Sequence, residues 1–248
     1  MDFTQFWKEH PKAAIAFSGG VDSAYLLYCA VRSGATVKAY YAKTAFQPQF
    51  ELEDAQKLAA QLGAELEILP IDVLSVPHVA ENPANRCYFC KKALFTAISA
   101  AARADGFSLI LDGTNASDQV SDRPGMQALQ ELSVRSPLRE CGLTKAEIRR
   151  LSREAGLFTH DKPAYACLAT RIPTGDPITP AKLERTEHAE SLLQTLGLRD
   201  FRVRTLGDMA RIQVTEADSA LVLRHRKTIV TQLKQMYSGV VLDLEVRP

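Results

Sequence analysis

Near the start of the chain lies a turn built to hold a phosphate group. Ser18-Gly19-Gly20-Val21-Asp22-Ser23 follows a short apolar run, Lys12 to Phe17, and precedes apolar positions at helical spacing, Ala24, Leu27, Tyr28 and Val31. A glycine-rich turn from strand to helix presents consecutive backbone N–H groups, and the helix N-terminus adds partial positive charge, so phosphate oxygens are favoured there. Gly19 and Gly20 allow close backbone approach, Ser18 and Ser23 supply hydroxyls, and Asp22 is placed for magnesium or nucleotide hydroxyls rather than for phosphate itself. The Walker pattern and the Gly-x-Gly-x-x-Gly dinucleotide loop are both absent, so this is a different grip on phosphate. An ordinary βα turn is the plainer alternative.

A second polar segment, Asp112-Gly113-Thr114-Asn115-Ala116-Ser117-Asp118, follows an apolar run expected to be a strand. Open parallel sheets bind ligands beyond the carboxyl ends of their strands, so this segment is a candidate second wall of a nucleotide site. Without a ligand it reads as an Asx-type turn.

Five cysteines, at 29, 87, 90, 141 and 167, are an odd number in a chain with no export signal at its start, which argues against a disulfide framework. Cys87-Tyr-Phe-Cys90 alone is ambiguous among a zinc half-site, a redox pair and an iron–sulfur half-site. A thioredoxin-like pair would follow the first strand, and zinc would need further ligands, for which only the scattered His78, His160 and His188 are candidates. Cys167, within Pro163-Ala-Tyr-Ala-Cys-Leu-Ala-Thr-Arg171, is expected to be an exposed thiol with thiolate character beside Arg171. Thiolates at 87, 90 and 167 would hold a 4Fe-4S cluster with one iron open to exogenous sulfide. Cys29, on the first helix, reads as a small buried hydrophobe, and Cys141 is given no chemistry.

These groups need elements to position them. The pattern predicts strands at 12–17, 36–42, 65–69 and 107–111, and helices over 23–32, 51–62 and 89–103. Strands alternating with helices predict an α/β fold, a doubly wound and mostly parallel sheet covered on both faces. Thr144-Lys-Ala-Glu147 is a capping-box pattern that opens a helix closed by Gly156, and residues 159–180 read as a long active-site loop or hinge. From Thr179-Pro180 the pattern reads helix to 196, strands at 200–206 and 210–214, helix 217–236 and strand 240–246, a small α+β domain, ferredoxin-like in part. The expected division is 1–158 and 159–248.

Thirty Lys and Arg nearly balance twenty-nine Asp and Glu, so the molecule has no basic field to gather long polyanions, which argues against a stable nucleic acid partner. A hydrophobic content of 46% with 24% charged residues is that of a folded globular chain. The lack of a leader-like start and of a long apolar run leads to the expectation of a cytoplasmic protein with no membrane partner.

Ser18-Gly-Gly-Val-Asp-Ser23 after a first strand resembles the PP-loop of the ATP pyrophosphatases, enzymes of adenine nucleotide alpha hydrolase-like fold that cleave ATP between its α and β phosphates and transfer AMP to a substrate oxygen. With Cys87-x-x-Cys90, Gly113-Thr-Asn-Ala-Ser-Asp118, Arg123-Pro-Gly125, Ser136-Pro-Leu138 and Ala166-Cys-Leu-Ala-Thr-Arg171 in that order, nearly the whole chain resembles the LarE family of ATP-dependent sulfur transferases.

That resemblance implies ATP and Mg2+ as cofactors, with Ser18, Gly19, Gly20, Asp22, Ser23, Gly113, Thr114, Asn115, Asp118 and Arg123 around the nucleotide. It implies adenylation of a carboxylate of pyridinium-3,5-biscarboxylic acid mononucleotide, and replacement of AMP by sulfur to give a thiocarboxylate. Sulfur comes from a cluster on Cys87, Cys90 and Cys167, fed by a sulfide source, or from Cys167 itself, which is left as dehydroalanine. Glu190 and the pair Arg202 and Arg204, at i and i+2 on one strand face, match positions that hold metal and the mononucleotide phosphate. A solvated strand face is the alternative for the arginines. Gln213 stands where the family often has an acid, so no metal ligand is assigned there. The family implies a homo-oligomer. The competing functions are a PP-loop tRNA thiolase, an ammonia-using synthetase, and a zinc-stabilised nucleotide-binding module without catalysis.

Overall fold

The computed structural model describes residues 3–118 and 124–247. The chain forms two compact units, one of Met1–Val79 with Asn85–Lys162, the other of Ala80–Ala84 with Pro163–Pro248.

The first unit runs α1 (Phe3–Glu9), β1 (Lys12–Ala16), α2 (Val21–Arg32), β2 (Thr36–Lys43), α3 (Gln49–Leu62), β3 (Glu65–Pro70), α4 (Arg86–Ala104), β4 (Ile110–Leu111), α5 (Pro124–Glu131), α6 (Pro137–Glu140) and α7 (Lys145–Glu154). The four strands are parallel, in the order β3-β2-β1-β4. Side chains alternate across a strand, and both faces are apolar. Ala13, Ile15, Ala39 and Tyr41 face a core shared with Phe6, Leu27 and Leu58. Ala14 and Tyr40 face a second core with Ile98, Ala102 and Phe107. This double burial explains why these strands read as nearly continuous apolar runs. Gly63 takes the left-handed conformation (φ 63°) that ends α3, and Gly156 (φ 69°) follows α7, whose capping box joins Thr144 and Glu147 as predicted.

The strand expected over 107–111 contracts to two residues, because only Ala14 and Ile15 of β1 remain to pair with it. A bridge from Leu111 to Arg135 continues the sheet on that side. Helix α1 was not predicted from the sequence; Phe6 and Trp7 anchor it in the core, but seven residues are too few for a clear period.

The second unit runs α8 (Pro180–Thr195), β5 (Phe201–Leu206), β6 (Met209–Val214), α9 (Glu216–Arg224), α10 (Arg226–Leu233) and β7 (Gly239–Leu242). Thr179 Oγ1 accepts from Lys182 N, and Pro180 occupies the first turn of α8, as the sequence predicts. Strands β5 and β6 are antiparallel, and β7 joins β6 in parallel. The helix expected over 217–236 is two helices meeting at His225, where Arg224, Arg226 and Lys227 crowd like charge. The last strand is shorter than expected, although Asp243 N and Arg247 N still donate to Ile212 O and Val214 O. Residues 159–180 are not one open loop, since they contain the 3-10 turns Phe158–Asp161 and Leu168–Arg171. No helix among the described residues is long and apolar enough to cross a membrane.

In the first unit the loop after β4 comes close to the backbone at the start of α2. A Cβ on Gly113 would lie 2.9 Å from Ser23 N and 3.2 Å from its Cα. Backbone atoms cannot yield as a flexible side-chain tip can, and forcing an extra methyl group into a packed site costs about 1–3 kcal/mol. Gly113→Ala is therefore expected to lower unfolding free energy by about that amount, measured by urea denaturation, and to weaken nucleotide binding further by separating the two loops.

Candidate active site

Strands β2 and β3 lie to one side of β1, and β4 lies to the other, so the direction of winding reverses between β1 and β4. Such a reversal opens a crevice at the carboxyl ends of the two strands, where open α/β sheets bind ligands. The loop after β1 is Ser18–Gly20 and the loop after β4 is Asp112–Asp118.

In the first loop, Gly20 is the N-cap of α2 and has no side chain to satisfy the free N–H groups of the helix start. Gly19 is left-handed (φ 70°), and a Cβ there would lie 3.0 Å from Ala55 Cβ of α3, so the position demands glycine on both counts. Ser18 Oγ and Ser23 Oγ are 3.1 Å apart, and Ser23 Oγ donates to Gly20 O at 3.2 Å, so the hydroxyls brace the turn. The second loop is held by Asp112, whose carboxylate accepts from Thr114 Oγ1 (2.5 Å) and Ser136 Oγ (2.5 Å). Asn115 N donates to Asp118 Oδ2 at 3.0 Å, and Asn115 Nδ2 donates to Asp22 Oδ1 at 3.4 Å. The fold thus brings Ser18, Gly19, Gly20, Asp22, Ser23, Gly113, Thr114, Asn115 and Asp118 together. Arg123 lies outside the described residues.

Lys145, missed in the sequence, completes this group. Its Nζ is 2.6 Å from Asp22 Oδ2, and its backbone N donates to Ser117 Oγ at 3.0 Å. Burial raises the Asp22 carboxyl above its ordinary range, against a smaller opposing pull from Lys145. One signal was available: a lysine at the first position of a helix opposes the positive end of the helix dipole, which calls for a compensating partner.

The second unit builds a different constellation. Arg171 is fully buried and donates from Nε and Nη2 to the two oxygens of Glu190 at 2.8 and 3.0 Å. Glu190 also accepts from Tyr165 Oη and, at 2.8 Å, from Val203 N. Burial alone would favour neutral Arg171, but the bond to Glu190 holds its guanidinium above the usual range. Arg171 Nη1 donates to Ala166 O, Arg202 to Ala164 O and Arg204 to Thr170 O, so three arginines hold the segment that carries Cys167. The Tyr165 ring faces both Arg171 and Arg202, at 4.5 and 5.2 Å from centroid to guanidinium. Burial, with the neighbouring Arg171 and Arg247, pushes Arg202 down to about 10.

One alternative fails here and one expectation changes. Arg202 and Arg204 do not form a solvated face, since Arg202 is buried, Arg204 is partly buried, and both engage carbonyl groups. Cys167 is half-buried rather than exposed, because it caps the 3-10 turn Leu168–Arg171 with its carbonyl bonded to Thr170 N (3.0 Å) and Thr170 Oγ1 (2.8 Å).

Cys87 and Cys90 are one turn apart at the start of α4, the first exposed and the second half-buried. They belong to the first unit and Cys167 to the second. Among the described residues, no group of three or more His, Cys, Asp or Glu side chains can hold a metal ion. Cys29, expected to be buried, is half-buried and packs against the first core, and burial pushes its thiol up to about 11.

A glycine-rich turn at the reversal of a parallel sheet is what an ATP-using enzyme of the PP-loop class requires, and a model of the family described as Queuosine biosynthesis protein QueC matches residues 12–81, the stretch that carries it. The chain is 32% identical over 240 residues to the pyridinium-3,5-bisthiocarboxylic acid mononucleotide synthase of Lactiplantibacillus plantarum, covering 96% of this chain and 87% of that one. It therefore belongs to that enzyme's family, the LarE family of PP-loop proteins. It is also 41% identical over 213 residues to an uncharacterized protein of Synechocystis, covering 85% of this chain and 79% of that one. Similarity to the tRNA-specific 2-thiouridylase MnmA of Thermotoga maritima is 26% over 193 residues, covering 61% of this chain and 54% of that enzyme.

Removing one partner from a buried ion pair leaves an uncompensated charge and costs about 3–5 kcal/mol. Glu190→Ala is expected to destabilise the protein on that scale in urea denaturation, with Glu190→Gln milder because its amide oxygen still accepts. If Glu190→Ala were neutral, Glu190 would not be the counter-ion on which this unit depends.

Proposed function

We propose that the chain is an ATP-dependent sulfur transferase that converts carboxylates of pyridinium-3,5-biscarboxylic acid mononucleotide to thiocarboxylates in the synthesis of a nickel-pincer nucleotide. The observation that carries this is kinship over nearly the full length with an enzyme named for the dithio product. The phosphate turn at the sheet reversal supports the ATP-dependent half.

Backbone N–H groups at Gly19 and Gly20, with the Ser18 and Ser23 hydroxyls, receive the phosphates of Mg-ATP, and Asp22 faces its magnesium. Thr114, Asn115 and Asp118 form the opposite wall. A carboxylate oxygen of the mononucleotide attacks the α-phosphorus. The bond from that phosphorus to the α–β bridging oxygen breaks, and its electron pair leaves with pyrophosphate. A sulfur nucleophile then adds to the acyl carbon of the adenylate, and the C–O bond breaks, its electron pair leaving with AMP. In the second unit, the guanidinium groups of Arg202 and Arg204 suit the phosphate of the mononucleotide.

Sulfur has two candidate origins, a 4Fe-4S cluster held by Cys87, Cys90 and Cys167, or the Cys167 thiol itself. Two thiols one turn apart make only half of a cluster site. From Cys167, Sγ forms a thioester with the acyl group. Loss of the Cα proton then supplies the electron pair of a Cα=Cβ bond, and the Cβ–Sγ pair leaves with the thiocarboxylate.

Similarity to tRNA-specific 2-thiouridylases favours a second reading, a tRNA thiolase. The two readings differ in their sulfur acceptor. Protein purified without oxygen and given Mg-ATP is expected to form pyrophosphate only when the mononucleotide is present, and not when tRNA replaces it; the opposite dependence would decide for the thiolase. Loss of one hydroxyl donor at Ser23→Ala is expected to slow pyrophosphate formation about 100-fold or more. Bound iron and labile sulfide in wild type, lost in Cys87→Ala/Cys90→Ala, would assign the cluster. A Cys167 peptide lighter by the mass of hydrogen sulfide after turnover would assign the sacrificial thiol.

A further inference from the structure

Residues that stand opposite one another on β5 and β6 place their side chains on the same face of the sheet. Their register sets Arg202 against Gln213 and Arg204 against Arg211. Like charges directly opposite each other destabilise a sheet, and Asp243 does little to relieve the second pair. Its Oδ2 accepts from Gln213 Nε2 at 2.8 Å and its Oδ1 from Glu245 N at 3.2 Å, while Arg211 Nε stands 3.6 Å away, too far for a hydrogen bond. Gln213 lies between that carboxylate and Arg204. Its Oε1 accepts from Arg204 Nε at 2.5 Å with its amide nitrogen turned to Asp243, so a neutral group orients Arg204 and leaves its charge in place.

The arginines of this face differ in what they have left to give. Arg202 is buried, and its terminal nitrogens donate to Phe201 O and Ala164 O. Arg204 gives Nε to Gln213 and Nη1 to Thr170 O, and its Nη2 has no partner among the described residues. Arg211 has a side chain 39% exposed and makes no hydrogen bond among the described residues, its Nε being enclosed without a partner. Burial, then the charges of Arg171 and Arg211, hold Arg204 below its usual range. We infer that Arg204 and Arg211 grip the phosphate of the mononucleotide between them, and that Gln213 sets the strength of the grip by orienting Arg204 without neutralising it. This rests on the reading of the chain as an enzyme acting on that mononucleotide. The sequence points to Arg202 and Arg204; the geometry adds Arg211, which has every donor to spare. A bidentate bond from Arg204 uses Nη1 with Nη2 and exchanges Thr170 O for a phosphate oxygen, and the dianion removes the repulsion between the two guanidinium groups.

A selective loss follows. In calorimetric titrations of the full chain, wild type is expected to bind pyridinium-3,5-biscarboxylic acid mononucleotide about tenfold or more tighter than the nucleoside left when its phosphate is removed. Arg211→Ala and Arg211→Gln are expected to weaken the mononucleotide about 10- to 100-fold, the scale of a lost charge-assisted hydrogen bond, with the nucleoside within about twofold of wild type. Gln213→Glu, which sets a carboxylate against Arg204, is expected to weaken the mononucleotide about tenfold or more, and Gln213→Met, which adds no charge, less. Arg226→Ala, the loss of an exposed cation on α10, is expected to change neither affinity. Far-ultraviolet circular dichroism and the urea midpoint establish that each variant is folded. Unchanged mononucleotide affinity in both Arg211 variants would overturn the inference. So would equal loss of mononucleotide and nucleoside, which would make Arg211 a prop for the sheet, or an equal loss in Arg226→Ala, which would reduce the effect to net charge. Unchanged affinity in Gln213→Glu would overturn the part assigned to Gln213. Wild-type protein that bound neither ligand would remove the underlying reading, a result distinct from one in which wild type binds the mononucleotide and the Arg211 variants bind it equally well.

Discussion

The first unit depends on how closely two backbones can approach. Strands β1 and β4 are neighbours, so the loops that leave them are forced together, and at Gly113 the separation leaves no room for a side-chain carbon beside Ser23. That contact sets the width of the crevice. It also explains the loop chemistry: Asp112 ties its own loop to Ser136, Asn115 reaches Asp22, and Ser117 reaches Lys145, each over a short span that a wider gap would open. The strand order supplies the crevice, and the glycine keeps it narrow enough for side chains from both walls to meet.

Much of this could be read from the residues. The glycine-rich turn was evident because strand, glycine pair and helix follow one another without interruption, and each carries its own physical signature. The apolar runs of β1 and β2 were equally plain, being buried on both faces. Short elements were harder to see. Strand β4 has two paired residues, and α1 and α6 are too brief for a hydrophobic period to repeat. The break at His225 was missed because apolar positions continue on both sides of it, while local charge and backbone geometry decide where the helix stops. The partners of Glu190 were out of reach for another reason. Arg171 is nineteen residues away, and a buried ion pair leaves no periodic trace in a sequence.

The residues that the resemblance names in the second unit have partners of their own that the sequence does not state. Glu190 is bonded to Arg171, Tyr165 and Val203 N, while Arg202 and Arg204 are bonded to carbonyl groups of the segment around Cys167. Arg204 is bonded to Thr170 O and to the amide oxygen of Gln213, neutral groups both. Glu190 is the carboxylate bonded to Arg171, so this region carries more cationic than anionic groups at short range. Carbonyl oxygens of the 164–170 segment occupy donors that a phosphate would use, so phosphate binding by Arg202 or Arg204 entails some release of that segment. The chemistry assigned to Cys167 and the binding assigned to the arginines therefore draw on the same hydrogen bonds.

The two charged constellations differ in a way that decides which of them can respond to a ligand. Arg171 and Glu190 are almost wholly removed from water, with side-chain exposures of 0% and 4%, and the donors that reach Glu190 come from the chain itself. Separating such a pair costs about 3–5 kcal/mol, more than most small ligands could repay through one contact. Asp22 and Lys145 keep access to solvent, and pairs in that setting contribute about 1 kcal/mol or less. Separating that pair therefore costs little. The crevice at the sheet reversal is thus the place where the arrangement of charge can change with ligand, and the buried pair in the second unit is a fixed point around which the Cys167 segment is built.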